Sequence, residues 1–426
     1  MSNTQILFNS RHQHPVGQGF FHTGALSLGQ DTFRYAYDCG SEHIGPLIQC
    51  IQAYIATLPE SQSKPRTLDV LFVSHLHNDH VNGIDKLLSE VRVETVVLPY
   101  LSDAERLVLL AKSLEGPFVS ASFVQLLSNP PRWFGDHGVK RIILIKGDKR
   151  HSLKIPSLLE PIFPQDAKIR IKKLHLEDRM FKNAKATKVS DGSKIKVLIM
   201  SHSNPLKIMA DDVFMLNWSF ITFVHPEDTK IKSFRKAVKK SFGKFPPPQK
   251  WLVNIVQDSK MRLRLLSCYE KIRRNHNLIS LSLYSGPIIL SPNFHTQVWY
   301  EPNTSWIMNP HKALEQPENR RCAWLGTGDS NLRARSRRSQ FMRHFEPVSD
   351  FVDSLALPHH GSNKNFDPEI LNLGAHICVI ASGINNQYGH PSPEVVQSIL
   401  VKRCILVRVN QDPNSWWREE VTLSVI

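Results

Sequence analysis

The amino-acid sequence predicts an α/β fold, and three observations lead to this prediction. Strand-like and helix-like runs alternate between residues 68 and 100, which is typical of strand–helix–strand units. Four further strand-like runs follow one another between residues 275 and 383. The chain has 426 residues, which is long for one ordinary domain. We therefore expect either two domains or one large fold that carries insertions.

The N-terminal part is predicted to begin with strands and then to alternate between strands and helices. Short apolar runs separated by glycines in the first forty residues indicate antiparallel strands joined by tight turns. The elements predicted next are a helix over 44–57, a strand over 68–75, a short helix over 83–91, a strand over 93–100, a helical region over 101–128, and strands over 140–148, 194–203 and 218–226.

The C-terminal part begins with a basic amphipathic helix. Ile231, Phe234, Val238 and Phe242 recur three or four residues apart, so lysines occupy the other faces of this helix until "KFPPPQK" (244–250) ends it. The elements predicted after it are strands over 275–290, 322–330, 352–362 and 375–383, a helix over 392–400, and a final strand over 404–410.

The composition excludes several classes of protein. No stretch is long and apolar enough to cross a bilayer, and the N-terminus lacks the charged-then-apolar pattern of a signal peptide. The six cysteines contain no CxxC pair, which argues against a cysteine-ligated zinc module or a disulfide framework. We expect a soluble cytoplasmic protein with reduced, mostly buried thiols and no membrane partner.

The charge distribution points to an anionic partner. The formal net charge is +15, and residues 229–274 contain fourteen Lys or Arg against only Asp258 and Glu270. A second basic run, "NLRARSRRSQ", covers 331–340. Such segments bind phosphates, although a solvated basic face is the plain alternative. The predicted nucleic-acid contacts are Lys236, Lys239, Lys240, Arg335, Arg337 and Arg338.

The stretch "VSHLHNDHVNG" (73–83) carries the strongest chemical signal. It places His75, His77, Asp79 and His80 within six positions, directly after the apolar run Val70–Val73. Two histidines spaced two apart at a strand end point the same way, and the other two residues lie on the turn that follows. Imidazole nitrogens and carboxylates are ligands for zinc, iron or manganese, so this stretch is predicted to form half of a metal site.

The other half is predicted from later strand ends. Asp329, His359 with His360, and His390 each follow a strand-like run, and His225 ends another. A dinuclear site needs a carboxylate that can bridge both ions. Asp329 is the natural choice, because the glycines of "LGTGD" let the backbone come close to the metals.

The order of these motifs resembles the metallo-β-lactamase superfamily. The motifs are "VGQG" (16–19), "YDCGS" (37–41), "HLHNDH" (75–80), "HP" (225–226), "GTGD" (326–329), "LPHHGS" (357–362) and "YGHPSPEVV" (388–396). Within that superfamily the chain looks most like the C-terminal hydrolase-like domain of the ComEC DNA-uptake proteins. The resemblance implies an αββα four-layer sandwich over 1–426 as a single domain, with an enlarged region over 101–217 and a basic insertion over 226–275.

The resemblance also implies roles for individual residues. Asp38 orients the histidine turn, His75, His77 and His225 bind one ion, Asp79 and His80 bind the second, and Asp329 bridges them. Either His359 or His390 completes the second site, and the other, or His360, is then a candidate to protonate a leaving group. The implied catalytic residues are Asp38, Asp79 and His360, and the implied cofactors are two divalent ions, most often zinc, with manganese or iron as alternatives.

A dinuclear site of this kind suits phosphodiesters, but the same ions serve ester or lactone hydrolysis. The basic segments favour a metal-dependent phosphodiesterase or nuclease acting on DNA or RNA, and an anti-phage or stress-response effector is one setting for it. The alternatives are a small-molecule hydrolase of esters, lactones or nucleotide second messengers, and a non-catalytic DNA-binding or signalling component. The 226–275 insertion is also a candidate docking site for a protein partner.

Overall fold

The strands and helices of the chain are seen in a computed structural model. It describes residues 6–60, 65–115, 119–148, 153, 173–211, 214–226, 229–245, 249–272, 279–288, 294–303, 307–308 and 321–425. The predicted proline break at 246–248 and both ends of the basic segment, 227–228 and 273–275, lie outside these residues. No helix within the described ranges is long and apolar enough to span a bilayer.

Nineteen strands are found in the described residues. They are β1 (Ile6–Gln13), β2 (Gly19–Leu28), β3 (Asp31–Ser41), β4 (Thr67–Phe72), β5 (Arg92–Pro99), β6 (Arg141–Lys146), β7 (Leu174–Leu176), β8 (Lys185–Lys188), β9 (Lys194–Ser201), β10 (Leu206–Ala210), β11 (Phe214–Val224), β12 (Leu281–Gly286), β13 (Phe294–Asn303), β14 (Ile307–Met308), β15 (Ala323–Gly326), β16 (Val352–Ala356), β17 (Ile377–Ala381), β18 (Ile405–Val409) and β19 (Trp416–Val425).

Eleven α-helices accompany these strands in the described part of the chain. They are α1 (Ile44–Thr57), α2 (Asn78–Val81), α3 (Ile84–Leu88), α4 (Asp103–Ser113), α5 (Ala121–Ser128), α6 (Pro130–Asp136), α7 (Thr229–Phe242), α8 (Gln249–Gln257), α9 (Ser259–Glu270), α10 (Arg335–Phe345) and α11 (Pro393–Val401). Short 3₁₀ helices cover Asp178–Asn183, Glu346–Phe351, Pro358–Gly361 and Pro368–Leu373.

The strands form two large mixed sheets. The first has the order β13-β19-β1-β2-β3-β4-β5-β6-β9-β8, and the second has the order β14-β18-β17-β16-β15-β12-β11-β10-β7. Strands β3, β4, β5, β6 and β9 run parallel to one another, and so do β15 to β18. Parallel strands bring their carboxyl ends to one edge, so the loops that carry the predicted ligands can meet there.

Side chains of alternate strand residues divide the interior into layers. In β6, Ile143 and Ile145 pack into the cluster between the sheets, whereas Ile142 packs into the cluster under the helices. In β11, Phe220 faces the layer between the sheets and Ile221 faces the cluster that includes residues of α10 and α11. The order of layers is therefore helices, sheet, sheet, helices, and the predicted αββα fold class is confirmed.

The strand predicted over 404–410 is present as β18, but it is not the final strand. Strand β19 follows it and pairs with both β1 and β13. The charged run "WWREEVTLSV" conceals the alternation, because Glu419 points inward and forms a buried ion pair with Arg11 at 2.8 Å. Trp417 Nε1 and Ser354 Oγ also donate to the Glu419 carboxylate, at 2.8 and 3.0 Å, so this buried charge has partners in three strands.

Asp353 lies in the same buried region, and its pKa is raised. Burial, and then the nearby Glu419 carboxylate, raise the pKa of Asp353 to about 7, while Tyr300 donates to its Oδ2 at 2.5 Å. Between pH ~4 and pH 7 the folded protein keeps a proton that the unfolded chain releases. The contribution of this carboxyl to stability is therefore complete below pH ~4 and is lost as the pH rises through 7.

We predict that Asp353→Asn raises the melting temperature at pH 8 and that this gain shrinks towards pH 4.5, because the amide carries no buried charge at either pH. Differential scanning calorimetry at the two pH values measures this. Asp350→Asn, at an exposed carboxylate three residues earlier, is the matched control and should change neither value. Equal effects of Asp353→Asn at both pH values would contradict the assignment.

Candidate metal centre

The turn after β4 is held to the first sheet by Asp38. This residue lies within the run of buried residues in β3 and adopts a left-handed backbone conformation, with φ of 58°. Its Oδ1 accepts from the backbone N–H of Ser74 at 2.6 Å, and its Oδ2 accepts from Ser74 Oγ at 2.6 Å and from His80 Nδ1 at 2.7 Å. A single carboxylate thus fixes both the start of the turn and the ring of His80.

Three histidines are oriented by hydrogen bonds at Nδ1. His80 Nδ1 donates to Asp38. Ser74 Oγ donates its hydrogen to Asp38, so it accepts a hydrogen bond from His75 Nδ1, which lies 2.8 Å away. His360 Nδ1 donates to the carbonyl oxygen of Ala381 at 2.9 Å. In each ring the Nε2 atom is therefore the nitrogen that is left for a metal, which is the usual arrangement around ligating histidines.

Gly40 permits the close packing of this turn on the first sheet. A Cβ atom at Gly40 would lie 2.4 to 2.5 Å from backbone atoms of His80 and Val81 in α2. No side chain fits there without moving the backbone that carries His80. The glycine of the "YDCGS" motif therefore serves the approach of the turn to β3.

Asp329 comes from the second sheet and reaches the histidines of the first. It follows β15 and comes directly after Gly328. Gly328 has a φ of 54°, and a Cβ atom there would lie 2.4 Å from Ser280 Oγ, so both features favour glycine. The Asp329 carboxylate lies 3.4 Å from His75 Nε2, 3.4 Å from His80 Nε2 and 2.9 Å from His359 Nδ1. Asp329, His75 and His80 are buried, so two of these contacts form away from bulk water, whereas His359 is partly exposed.

The histidine pair after β16 lies in a strained turn. His359 and His360 have φ of 49° and 57°, in the left-handed region that non-glycine residues seldom occupy. The turn directs His359 to Asp329 and places His360 Nε2 3.4 Å from Asp79 Oδ2. Asp38 is strained in the same way, so backbone strain is concentrated around these ligands, which is common at functional sites.

Six side chains form two groups that fit metal ions. His75, His77 and Asp329 make one group, and Asp79, His80 and His360 make the other, with the ligand atoms of each within 4.8 Å of one another. Zinc at ~2.0–2.2 Å from each ligand in a tetrahedral site sets its ligands roughly 3.3–3.6 Å apart, which the 3.4 Å separations match.

Unused hydrogen-bonding capacity supports the same conclusion. His75 Nε2, His80 Nε2 and Asp329 Oδ1 are buried and accept or donate no hydrogen bond within the described residues. Buried polar atoms without hydrogen bonds cost free energy, and a cation between them would satisfy all three. The donor set of imidazoles and carboxylates therefore fits a divalent metal such as zinc.

The charges of the two groups are strongly coupled. Burial acts to raise the pKa of Asp79 and Asp329, but the neighbouring histidines hold both pKa values well below the usual range. Burial acts to lower the pKa of His80, yet Asp79, Asp38 and Asp329 raise it well above 6.5. The carboxylates therefore attract positive charge, which divalent cations would supply in exchange for protons.

Four members of the two groups, His77, Asp79, Asp329 and His360, line a cleft of about 1610 Å³. The end of α4 and helices α5 and α6 also line it, with the side chains Lys112, Phe123, Leu126 and Trp133. Lys112 Nζ lies 3.1 Å from His77 Nδ1 and 3.3 Å from His77 Nε2. The cleft lining thus combines charged side chains at the ligand groups with apolar side chains of α5 and α6.

His225 and His390 lie outside the two groups. His225 is buried after β11, with its ring 4.7 Å from that of Phe223, and its assignment as a ligand stays a prediction. His390 lines the cleft with its ring 5.5 Å from that of His359, and burial lowers its pKa to about 3. His359 contacts Asp329 without completing either group, whereas His360 joins the second group.

The predicted nucleic-acid contacts are divided by the structure. Lys236, Lys239 and Lys240 are exposed on α7, and Arg335 is exposed at the start of α10, whereas Arg337 is half-buried. Arg338 is a correction. Its buried guanidinium is held by Asp367 at 2.9 Å and Glu369 at 2.6 Å and donates to two carbonyl oxygens, so it is committed to folding and unavailable to a phosphate.

Ser74 and Lys112 were missed by the sequence interpretation. Ser74 directly precedes His75, and a hydroxyl beside a ligand motif is the signal that could have found it. Lys112 offers no such signal, because it is an ordinary lysine near the end of an amphipathic helix that the fold brings to His77.

Comparison with known proteins gives distant structural likenesses. No protein-family model matches the chain, and no curated protein matches it. It is similar to the metallo-β-lactamase fold protein YhfI from Bacillus subtilis, at 10% identity and a TM-score of 0.35 over 96% of this chain and 99% of that chain. It is also similar to a long form RNase Z from yeast, at 9% identity and a TM-score of 0.31 over 89% of this chain and 37% of that chain. These distant likenesses identify no substrate, and the narrower resemblance to ComEC-type domains stays a prediction.

We predict that Asp38→Asn weakens zinc binding by about 10–100-fold without unfolding the protein, because the amide cannot accept from Ser74 and His80 as the carboxylate does. Competition with a chromogenic chelator measures the affinity, and two zinc ions per chain are expected in the parent. Asp69→Asn is the control, since Asp69 is a half-buried carboxylate of β4 that accepts a hydrogen bond from the backbone N–H of Arg34. Equal zinc affinity of the Asp38 variant and the parent would refute the role of Asp38.

Proposed function

We propose that this protein is a metal-dependent hydrolase that cleaves phosphodiester bonds in nucleic acid. The observation that carries the proposal is the pair of ligand groups joined by Asp329, whose carboxylate contacts histidines of both groups. Two divalent ions bound there would supply Lewis acidity and activate water for attack on phosphorus. A mononuclear structural zinc site would not need six protein ligands.

The residues of the chain have distinct tasks in this proposal. His75 and His77 would hold one ion and Asp79, His80 and His360 the other, with Asp329 between them. Asp38 and Ser74 keep the rings of His75 and His80 in the ligating orientation. His359 and His390 lie at the cleft, where His390 is held neutral by burial and can hydrogen-bond a substrate oxygen.

The size of the cleft favours a polymer over a compact small molecule. Its volume of about 1610 Å³ exceeds the roughly 300–1,000 Å³ that is typical of small-molecule pockets. Phe123 and Trp133 line the cleft but are buried in the helical layer, so we assign no base stacking to them.

In this proposal the lysines of the basic helix α7 add affinity for nucleic acid. The buried face of α7 packs into the helical layer through Ile231, Phe234 and Val238. The lysines on its other faces therefore point to solvent. Phe242 and Phe245 are partly buried beneath Arg264 and Arg235, at 4.6 and 5.1 Å, and are therefore part of the packing and do not form a stacking platform. We assign nucleic-acid contacts to the lysines only.

A small-molecule ester or lactone hydrolase is the second candidate, and one observation favours it. The cleft is also lined by Glu42, Asp85 and Glu115, which would repel the phosphates of a long polymer. A neutral substrate would not meet this repulsion. A scaffold without catalytic activity is disfavoured, because the ligand groups are complete.

We predict that Asp79→Ala reduces cleavage of labelled single- and double-stranded DNA and RNA to the level of a metal-stripped sample. Binding of nucleic acid should be largely retained, because affinity would come from the basic surface. Asp85→Ala, at a cleft carboxylate outside both ligand groups, is the control and should stay active. Full turnover in the Asp79 variant would exclude this site as the catalytic one.

We predict that the triple change of Lys236, Lys239 and Lys240 to Gln weakens nucleic-acid binding and lowers the salt slope by about one unit per lost phosphate contact. KM for a polynucleotide should rise more than kcat falls, whereas hydrolysis of a small phosphodiester should hardly change. The control changes three exposed lysines near β8: Lys182, Lys185 and Lys188. Equal effects of both triple variants would mean that α7 contributes only general charge, and the small-molecule candidate would then gain.

A further inference from the structure

Lys112 occupies an unexpected place for a cation. It lies near the C-terminal end of α4, is half-buried, and lines the cleft directly beside the first ligand group. Its Nζ atom is nearly equidistant from the two ring nitrogens of His77, at 3.1 and 3.3 Å. The task of this lysine is not explained by the metal ligands alone.

The geometry of the contact indicates that Lys112 does not compete with a metal. The lone pairs of the two imidazole nitrogens diverge in the plane of the ring, so an atom close to both nitrogens must lie above the ring face. An ammonium at an aromatic face makes an electrostatic contact with the ring. The in-plane position at the His77 nitrogen stays open for an ion, and the ammonium faces the cleft.

The scaffold holds Lys112 at this place. Helix α4 begins with a capping box in which Ser102 and Glu105 exchange hydrogen bonds with each other's backbone N–H groups. At its other end, Arg262 of α9 donates to the carbonyl oxygen of Leu114, which caps the helix. Because α7 and α9 also pack on α4, the basic insertion supports the cleft wall that carries Lys112.

The charges around Lys112 define what it can bind. The described side chains that line the cleft include the cations Lys112 and Lys364, and Lys364 is exposed. The carboxylates of Glu42, Asp85 and Glu115 are neighbours in the same lining. A substrate anion that approaches the ligand groups therefore meets Lys112 as the fixed cation next to them.

We propose that Lys112 is a substrate-binding residue whose ammonium contacts a non-bridging oxygen of the phosphate and thereby selects anionic over neutral substrates. This inference rests on the proposed function for its substrate and deepens it, since it names the group that recognises the phosphate. A charge-assisted contact of this kind is one of the stronger hydrogen bonds in proteins. The same residue would disfavour neutral esters, which gain nothing from it.

The test measures binding of inorganic phosphate to the zinc-loaded full chain by isothermal titration calorimetry. The variants are Lys112→Met, Lys112→Arg as the charge-retaining change, and Lys140→Met as the control at an exposed lysine that pairs with Glu94 outside the cleft. We expect about tenfold weaker phosphate binding for Lys112→Met, and near-parental binding for the other two. Zinc content and affinity should be unchanged in all three.

Activity adds a second readout. The kcat/KM of Lys112→Met should fall about tenfold for a chromogenic phosphodiester and stay near the parental value for a neutral chromogenic ester. Lys112→Arg keeps the test valid if Lys112→Met folds poorly. If Lys112→Arg binds phosphate as the parent does, it must also prefer the phosphodiester over the neutral ester as the parent does.

Three results would overturn the inference. The first is that Lys112→Met binds phosphate as tightly as the parent, and the second is that the parent binds no phosphate. The third is that Lys112→Met loses zinc, which would show that Lys112 positions His77. The proposed function fails separately. A parent that cleaves no phosphodiester but binds phosphate in a Lys112-dependent way would refute hydrolysis and leave the anion site standing.

Discussion

The contact of the Asp329 carboxylate with histidines from the other sheet is the interaction on which the rest of the site depends. Asp329 follows a strand of the second sheet, whereas His75 and His80 follow a strand of the first. The two sheets must therefore be aligned closely enough for ligand atoms 3.4 Å apart. Two hydrogen bonds to the start of β12 fix that alignment beside the site: Leu281 N donates to Ser74 O at 2.7 Å, and Tyr37 Oη donates to Leu281 O at 2.6 Å. The buried layer between the sheets is thus the rigid support of the ligand groups.

This arrangement also explains why strain and charge gather at one edge of the fold. Asp38, His359 and His360 occupy left-handed backbone conformations, and the neighbouring histidines hold the carboxylates of the half-buried Asp79 and the buried Asp329 ionised. Each feature costs stability on its own, and none improves the packing of the core. Two such carboxylates among imidazoles are stabilised by added positive charge, from protons or from metal ions. The site therefore has the properties of a metal centre and not those of a structural hydrogen-bond network.

The sequence was sufficient for features that depend on local pattern. The αββα class, the helix over 44–57, the strands before the ligand turns and the amphipathic α7 follow from residue periodicity and from the resemblance, and the structure contains them.

The sequence was insufficient where tertiary contacts decide the outcome. Strand β19 was hidden because the buried Arg11–Glu419 pair puts a charge at an inward position. Arg338 reads as a phosphate ligand within a basic run, and only the fold reveals Asp367 and Glu369 around it. Lys112 is 35 residues from His77 along the chain, and its contact depends on how α4 packs.

The basic insertion acquires a structural meaning from these contacts. Helices α7 and α9 pack on α4, α8 packs on α5, and Arg262 caps the end of α4, so the insertion forms part of the support behind the cleft wall. A charged arm that only tethered nucleic acid would need none of these contacts, and its helices would not have to bury Ile231, Phe234 and Val238. Because α4 also carries Lys112, any movement of the insertion would shift a cation beside the first ligand group. The exposed lysines of α7 and Lys112 of α4 therefore lie on helices that pack against each other, one set at the surface and the other at the cleft.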